Sequence, residues 1–84
     1  MVRVEVRDGA GNAVNNKFVR LLFQETDASG NPAAGDTVSD GYTDNTGMIS
    51  FHVTPGTYAL RIGDNYYYNI AVRSGEITTA SGTP

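Results

Sequence analysis

The 84-residue chain has no cysteine and no tryptophan, one histidine and only three prolines. Without a thiol there is no disulfide to staple the fold and no thiolate to bind metal or act as a nucleophile. Basic residues are also scarce: 6 Lys and Arg stand against 9 Asp and Glu, for a net charge of −3, and they form no cluster. That balance excludes the electrostatic footprint a nucleic acid or an anionic membrane surface requires. No apolar run approaches the ~20 residues of a membrane span. The opening Met1-Val2-Arg3-Val4-Glu5-Val6 alternates instead of forming the apolar stretch of a secretory signal. Such a chain is expected to be either cytoplasmic or one piece of a longer protein. Its length bounds it to one small domain, burying roughly 60–65% of its extended surface.

What the chain does have is glycine, ten of them, and short stretches of period-two alternation. Val2, Val4 and Val6 alternate with Arg3, Glu5 and Arg7, the pattern of a half-buried strand. Residues 17–24 predict a second strand, with Val19, Leu21 and Phe23 on one face and Phe18, Arg20, Leu22 and Gln24 on the other. Residues 26–36 read as a turn-rich connection and 37–43 as a short third strand. Asp44-Asn45-Thr46-Gly47 is a tight turn, with Gly47 at the position needing positive φ. Ile49, Phe51 and Val53 alternate next, then Tyr58, Leu60 and Ile62. The same rule sends Tyr66, Tyr68, Ile70 and Val72 inward and Tyr67 outward. A last short strand is expected at 76–79, followed by a polar tail or linker, residues 80–84. The expected fold is all-β: a seven-stranded, two-sheet, mostly antiparallel sandwich filling residues 1–79. Its expected core is Val4, Val6, Val19, Leu21, Phe23, Ile49, Phe51, Tyr58, Leu60, Ile70 and Val72.

Two segments carry a family resemblance. Thr43-Asp44-Asn45-Thr46-Gly47-Met48-Ile49-Ser50-Phe51, followed by Pro55-Gly56-Thr57-Tyr58-Ala59-Leu60, resembles the core of carboxypeptidase regulatory-like domains and collagen-adhesin B-type repeats. The opening Val4-Glu5-Val6-Arg7-Asp8-Gly9-Ala10-Gly11-Asn12-Ala13-Val14 is similar to their first strand and turn. The resemblance implies a prealbumin-like (Ig-like) sandwich, a module of a larger secreted or cell-surface protein. Some collagen-adhesin domains form a Lys–Asn isopeptide bond with the help of a Glu. Here Val6 stands at the position of the lysine and Ile62 at that of the Glu, which implies no such cross-link. A prealbumin-like hydrolase of hydroxyisourate needs several His and Arg residues, and His52 alone does not supply that constellation.

The remaining candidates are sites of recognition. Asp8, Asp27, Asp36, Asp40, Asp44 and Asp64 fall near turns, where Asp is the ordinary residue. The Asp36–Asp44 segment is the best placed for calcium, but no EF-hand spacing is present and no metal or cofactor is expected. Tyr66-Tyr67-Tyr68 could stack on sugars, although alternation leaves only Tyr67 outside, with Tyr42 as a helper. Phe18, Leu22 and Tyr67 are expected to form an outward apolar patch, either docking on a neighbouring domain or covered by the 26–36 connection. The functional expectation is a non-catalytic spacer, stalk or adhesion module outside the cell. Its alternative is an accessory domain holding a secreted hydrolase on polysaccharide or protein substrate.

Overall fold

The computed structural model describes residues Met1–Pro84. Seven strands form it: β1 Val2–Val6, β2 Phe18–Thr26, β3 Pro32–Tyr42, β4 Met48–Phe51, β5 Gly56–Ile62, β6 Asn65–Val72 and β7 Thr78–Gly82. They build two sheets, in the orders β4-β1-β7 and β3-β2-β5-β6. Every pairing is antiparallel except β1 with β7. The chain is therefore an all-β, two-sheet sandwich.

The core lies where the alternating faces meet. Val2, Val4 and Val6 of β1 pack against Val19, Leu21, Tyr58, Leu60 and Ile62 of the larger sheet, joined by Phe51, Val72 and Ala80. Ile49 and Ile70 sit at its rim, half-buried. Phe23 differs from expectation. It lies opposite buried Tyr58 on the core side of β2, but its ring is 51% exposed and stacks on Tyr58 at 6.0 Å. The reason is geometric: strands of 4 and 5 residues cannot cover the end of a 9-residue β2.

Three turns share one design, Asp-x-x-Gly, at Asp8–Asn12, Asp27–Asn31 and Asp44–Met48. In each, the Asp Oδ1 accepts the backbone N–H groups two and four residues on, at 2.8–3.1 Å. The Gly donates its N–H to the Asp carbonyl, and its φ is +85°, +83° and +77° in turn. The side chain replaces the backbone partners a tight reversal leaves unmet. Asp44 also accepts from Thr46 Oγ1 at 2.6 Å, and these bonds hold its carboxyl below the usual carboxylate range. Thr43, just before it, is buried; its Oγ1 donates to the Val14 carbonyl and accepts the Lys17 N–H. The Thr-Asp-x-x-Gly motif is thus a clamp between β3, β4 and the segment before β2.

The second Asp-x-x-Gly turn corrects the expected connection at 26–36. Asp27–Asn31 closes a β-hairpin, and residues 32–36 run straight into β3, which is the longest strand and not a short one. Ala33-Ala34-Gly35 disguise it, because small residues carry little strand signal.

The end of the chain also differs. β7 extends to Gly82, Ala80 is buried, and Thr83 is held by Tyr67 and Asn65. Residues 80–83 are therefore structural and do not form a free tail. Nothing hydrophobic announced them, because a parallel strand needs only small residues where Tyr67 and Ile62 lie against Gly82.

Tyr58 completes the frame. Its hydroxyl donates to the Thr54 carbonyl at 2.5 Å, tying the start of β5 to the corner that precedes it.

Candidate functional site

Register decides which side chains face out. In the smaller sheet, Arg3, Ser50 and Thr79 form one outward row, and Glu5, Met48 and Ser81 the next. That face is polar and has no aromatic ring.

The larger sheet presents a different surface. On β2 and β5, Arg20 pairs with Arg61 and Leu22 with Ala59, back to back with the core rows Leu21–Leu60 and Val19–Ile62. On β3, Tyr42 pairs with Phe18 and Asp40 with Arg20. On β6, Tyr66 pairs with Arg61. One outward row across the sheet therefore reads Asp40, Arg20, Arg61, Tyr66; Tyr42 and Phe18 form the row beside it, and Tyr68 lies in the row on the other side.

These side chains touch. The Phe18 and Tyr42 rings lie 5.2 Å apart, tilted by 57°, and the Arg20 guanidinium lies over Phe18 at 5.1 Å. On the far side the Arg61 guanidinium lies over Tyr66 at 5.6 Å, and Tyr66 and Tyr68 are near-parallel at 6.3 Å and 11°. Tyr42, Tyr66 and Tyr68 are 61%, 43% and 36% exposed.

The electrostatics of the centre are unbalanced. Two cations stand directly opposite across antiparallel strands, an arrangement that is destabilising without compensation. Arg20 has only Asp40, whose carboxylate lies 3.9 Å from Nε, beyond hydrogen-bond range, and that buried Nε has no partner. Arg61 donates Nε–H to the Gly63 carbonyl at 2.8 Å, and its Nη2 lies 3.5 Å from a fully exposed Asp64.

The expected patch of Phe18, Leu22 and Tyr67 does not assemble. Phe18 and Leu22 share the outer face, but Leu22 is only 6% exposed, beside a fully covered Ala59. Gln24 spans the neighbouring strand here. Its Nε2 donates to Asn69 Oδ1 at 2.9 Å and its Oε1 accepts the Asn69 N–H at 2.6 Å. Residues 32–36 pair edge to edge with β2 and do not fold over this face. Tyr67 lies on the opposite side, paired with Leu60, and packs against the core with its hydroxyl on the Thr83 backbone.

The tyrosine triplet is thus reversed relative to simple alternation: Tyr66 and Tyr68 face out and Tyr67 faces in. A bulge causes this. Tyr58 pairs with Ile70 and Leu60 with Tyr67, so two residues, Tyr68 and Asn69, stand opposite Ala59 alone. Asn69 takes φ +62° to make the step. One extra residue flips every side chain before it relative to those after it. Asn at that place was the available signal, because it tolerates the left-handed region better than most residues.

Five of the six aspartates have structural partners. Asp8, Asp27 and Asp44 serve turns, and Asp40 and Asp64 face arginines. No three His, Asp or Glu side chains converge as a cation site, the Asp36–Asp44 segment included. His52 is exposed beyond the end of β4. The surface has no pocket. Compared with known proteins, the chain matches no family model and no curated protein.

Proposed function

We propose that this domain is a non-catalytic recognition module of a longer secreted or cell-surface protein, which holds its parent on carbohydrate through the outer face of β3-β2-β5-β6. The observation that carries the reading is the pair of exposed, near-parallel rings of Tyr66 and Tyr68, continued across the sheet by Arg61, Arg20, Phe18 and Tyr42. Aromatic faces carry negative charge density that attracts the C–H groups of a sugar ring, and rigid side chains lose little entropy on binding.

The edges are poor alternatives. β3 carries two register shifts and β6 one, while β4 and β7 have only 4 and 5 residues. Bulged or very short edges resist addition of a strand from another chain. The resemblance of residues 43–60 to regulatory-like and adhesin repeats supports placing the module outside the cell.

A spacer role has its own support. Because β1 and β7 are parallel neighbours, Met1 lies beside Thr78 at one end and Gly82 beside Arg7 at the other. A module entered at one end and left at the other extends a chain when strung in series.

The test is affinity electrophoresis against a panel of soluble polysaccharides. The wild-type domain should be retarded by at least one of them. Tyr66→Ala/Tyr68→Ala should weaken that binding about tenfold or more, the scale of roughly 1.4 kcal/mol, while its melting temperature stays near that of the parent because both rings are exposed. Unchanged retardation in the double variant would refute the reading.

A further inference from the structure

We infer that the ligand of this face is an acidic glycan, a chain of uronate residues whose carboxylates are taken by the Arg20–Arg61 pair. The inference rests on the carbohydrate-binding reading above and adds the chemistry of the sugar.

The argument begins with what the arginines lack. A guanidinium presents five N–H donors in a planar fork that matches a carboxylate. The Arg20 guanidinium makes no hydrogen bond within the protein, and its nearest carboxylate is 3.9 Å away. Arg61 spends one donor on the Gly63 carbonyl and approaches one exposed aspartate. Register places the two cations side by side at the middle of the sheet, with Phe18 and Tyr42 on one flank and Tyr66 and Tyr68 on the other. An anion between the forks relieves their repulsion and occupies their free donors.

The flanks decide what kind of anion fits. A polyuronate alternates carboxylates with ring faces bearing C–H groups, and on this surface the cation pair lies on a diagonal between Phe18 of the adjoining row and Tyr66 of its own row. A nucleic acid presents a denser line of charge, and binding it rests on neutralising several phosphates. This face offers two arginines, each beside an aspartate, in a chain of net charge −3. It holds enough charge for one or two carboxylates and too little for a phosphate backbone.

Titration calorimetry on the whole domain tests this with four probes: a galacturonate hexamer, the same hexamer as its methyl ester, dextran sulfate and a thymidine oligonucleotide. The free acid should bind at least tenfold more tightly than the ester, and the difference should vanish in Arg20→Gln/Arg61→Gln. Arg20→Lys/Arg61→Lys, which keeps the charge and loses the fork, should fall between. Melting curves check that each variant is folded. Should the glutamine variant unfold, the comparison of acid with ester on the wild type decides alone. Equal binding of acid and ester, abolished by Tyr66→Ala/Tyr68→Ala, would overturn the acidic ligand and leave a neutral-sugar module. Tighter binding of dextran sulfate or the oligonucleotide than of the hexamer would also overturn it. If all four probes and the polysaccharide panel fail to bind, the carbohydrate reading falls as well.

Discussion

Replacing Gly47 with Ala should be among the most damaging single-methyl changes in this protein, and far worse than the same change at Gly30. Both glycines close Asp-x-x-Gly turns with nearly the same backbone, at φ +77° and +83°. Holding a residue with a Cβ in that region costs on the order of 1 kcal/mol or more at either site. The surroundings separate them. Around Gly30 a new Cβ meets nothing within 4 Å, whereas at Gly47 it would sit 2.6 Å from the Val6 carbonyl oxygen and 3.2 Å from Ala13. That carbonyl cannot retreat freely. It accepts the Val14 N–H at 3.1 Å, and the Val6 N–H donates to Gly47 itself at 2.8 Å. Relief therefore means moving β1, whose Val6 is fully buried. The expected loss is about 3 kcal/mol or more for Gly47→Ala against about 1 kcal/mol for Gly30→Ala, read from urea denaturation. Equal losses would show that the crowding at the first site does not exist.

The second large effect is expected at Leu60. This side chain is fully buried, paired with Leu21 on one side and Tyr67 on the other. Leu60→Ala should cost about 2–5 kcal/mol through lost transfer energy and the cavity left behind. At the usual ~0.05–0.15 kcal/mol per residue a chain of this size holds about 4–13 kcal/mol in total, so the variant could lose half its stability. Phe23→Ala is the informative control. It removes more atoms, but from a ring that is 51% exposed at the open end of the sandwich. It should cost less than Leu60→Ala. The reverse order would mean that the smaller sheet covers Phe23 after all.

Much of the architecture was legible because one rule, period-two alternation, operates on nearly every strand. Val2, Val4 and Val6, or Tyr58, Leu60 and Ile62, need no further information to be placed inward. Two of the failures share a cause: alternation counts residues, and a bulge adds one to a single strand. Between Leu21 and Gln24 the two extra residues lie on β3, and small side chains there hide the strand itself. At Tyr68-Asn69 the extra residue lies on β6, and it turned the tyrosine triplet inside out. Alternation alone thereby sends Tyr66 and Tyr68 to the core and Tyr67 to the surface. The loss mattered more for function than for fold, because the surface that bears the binding reading is the one the bulge creates. The arginine pair was hidden for a different reason. Arg20 and Arg61 are 41 positions apart, and only the β2–β5 register brings them opposite.

The sequence also contained a repeat too short to stand out. Asp8-Gly-Ala-Gly-Asn, Asp27-Ala-Ser-Gly-Asn and Asp44-Asn-Thr-Gly-Met share two fixed residues in five. Only their hydrogen bonds reveal them as one turn used three times.

Amide chemical-shift mapping during titration with the galacturonate hexamer shows which face of the domain a ligand meets. The backbone amides of Arg20, Tyr42, Arg61, Tyr66 and Tyr68, and the side-chain Nε–H of both arginines, should move together and saturate at one affinity. Shifts centred on Arg3, Glu5, Ser50 and Thr79, the outward rows of the smaller sheet, would place the ligand on the other face and overturn the proposed binding surface.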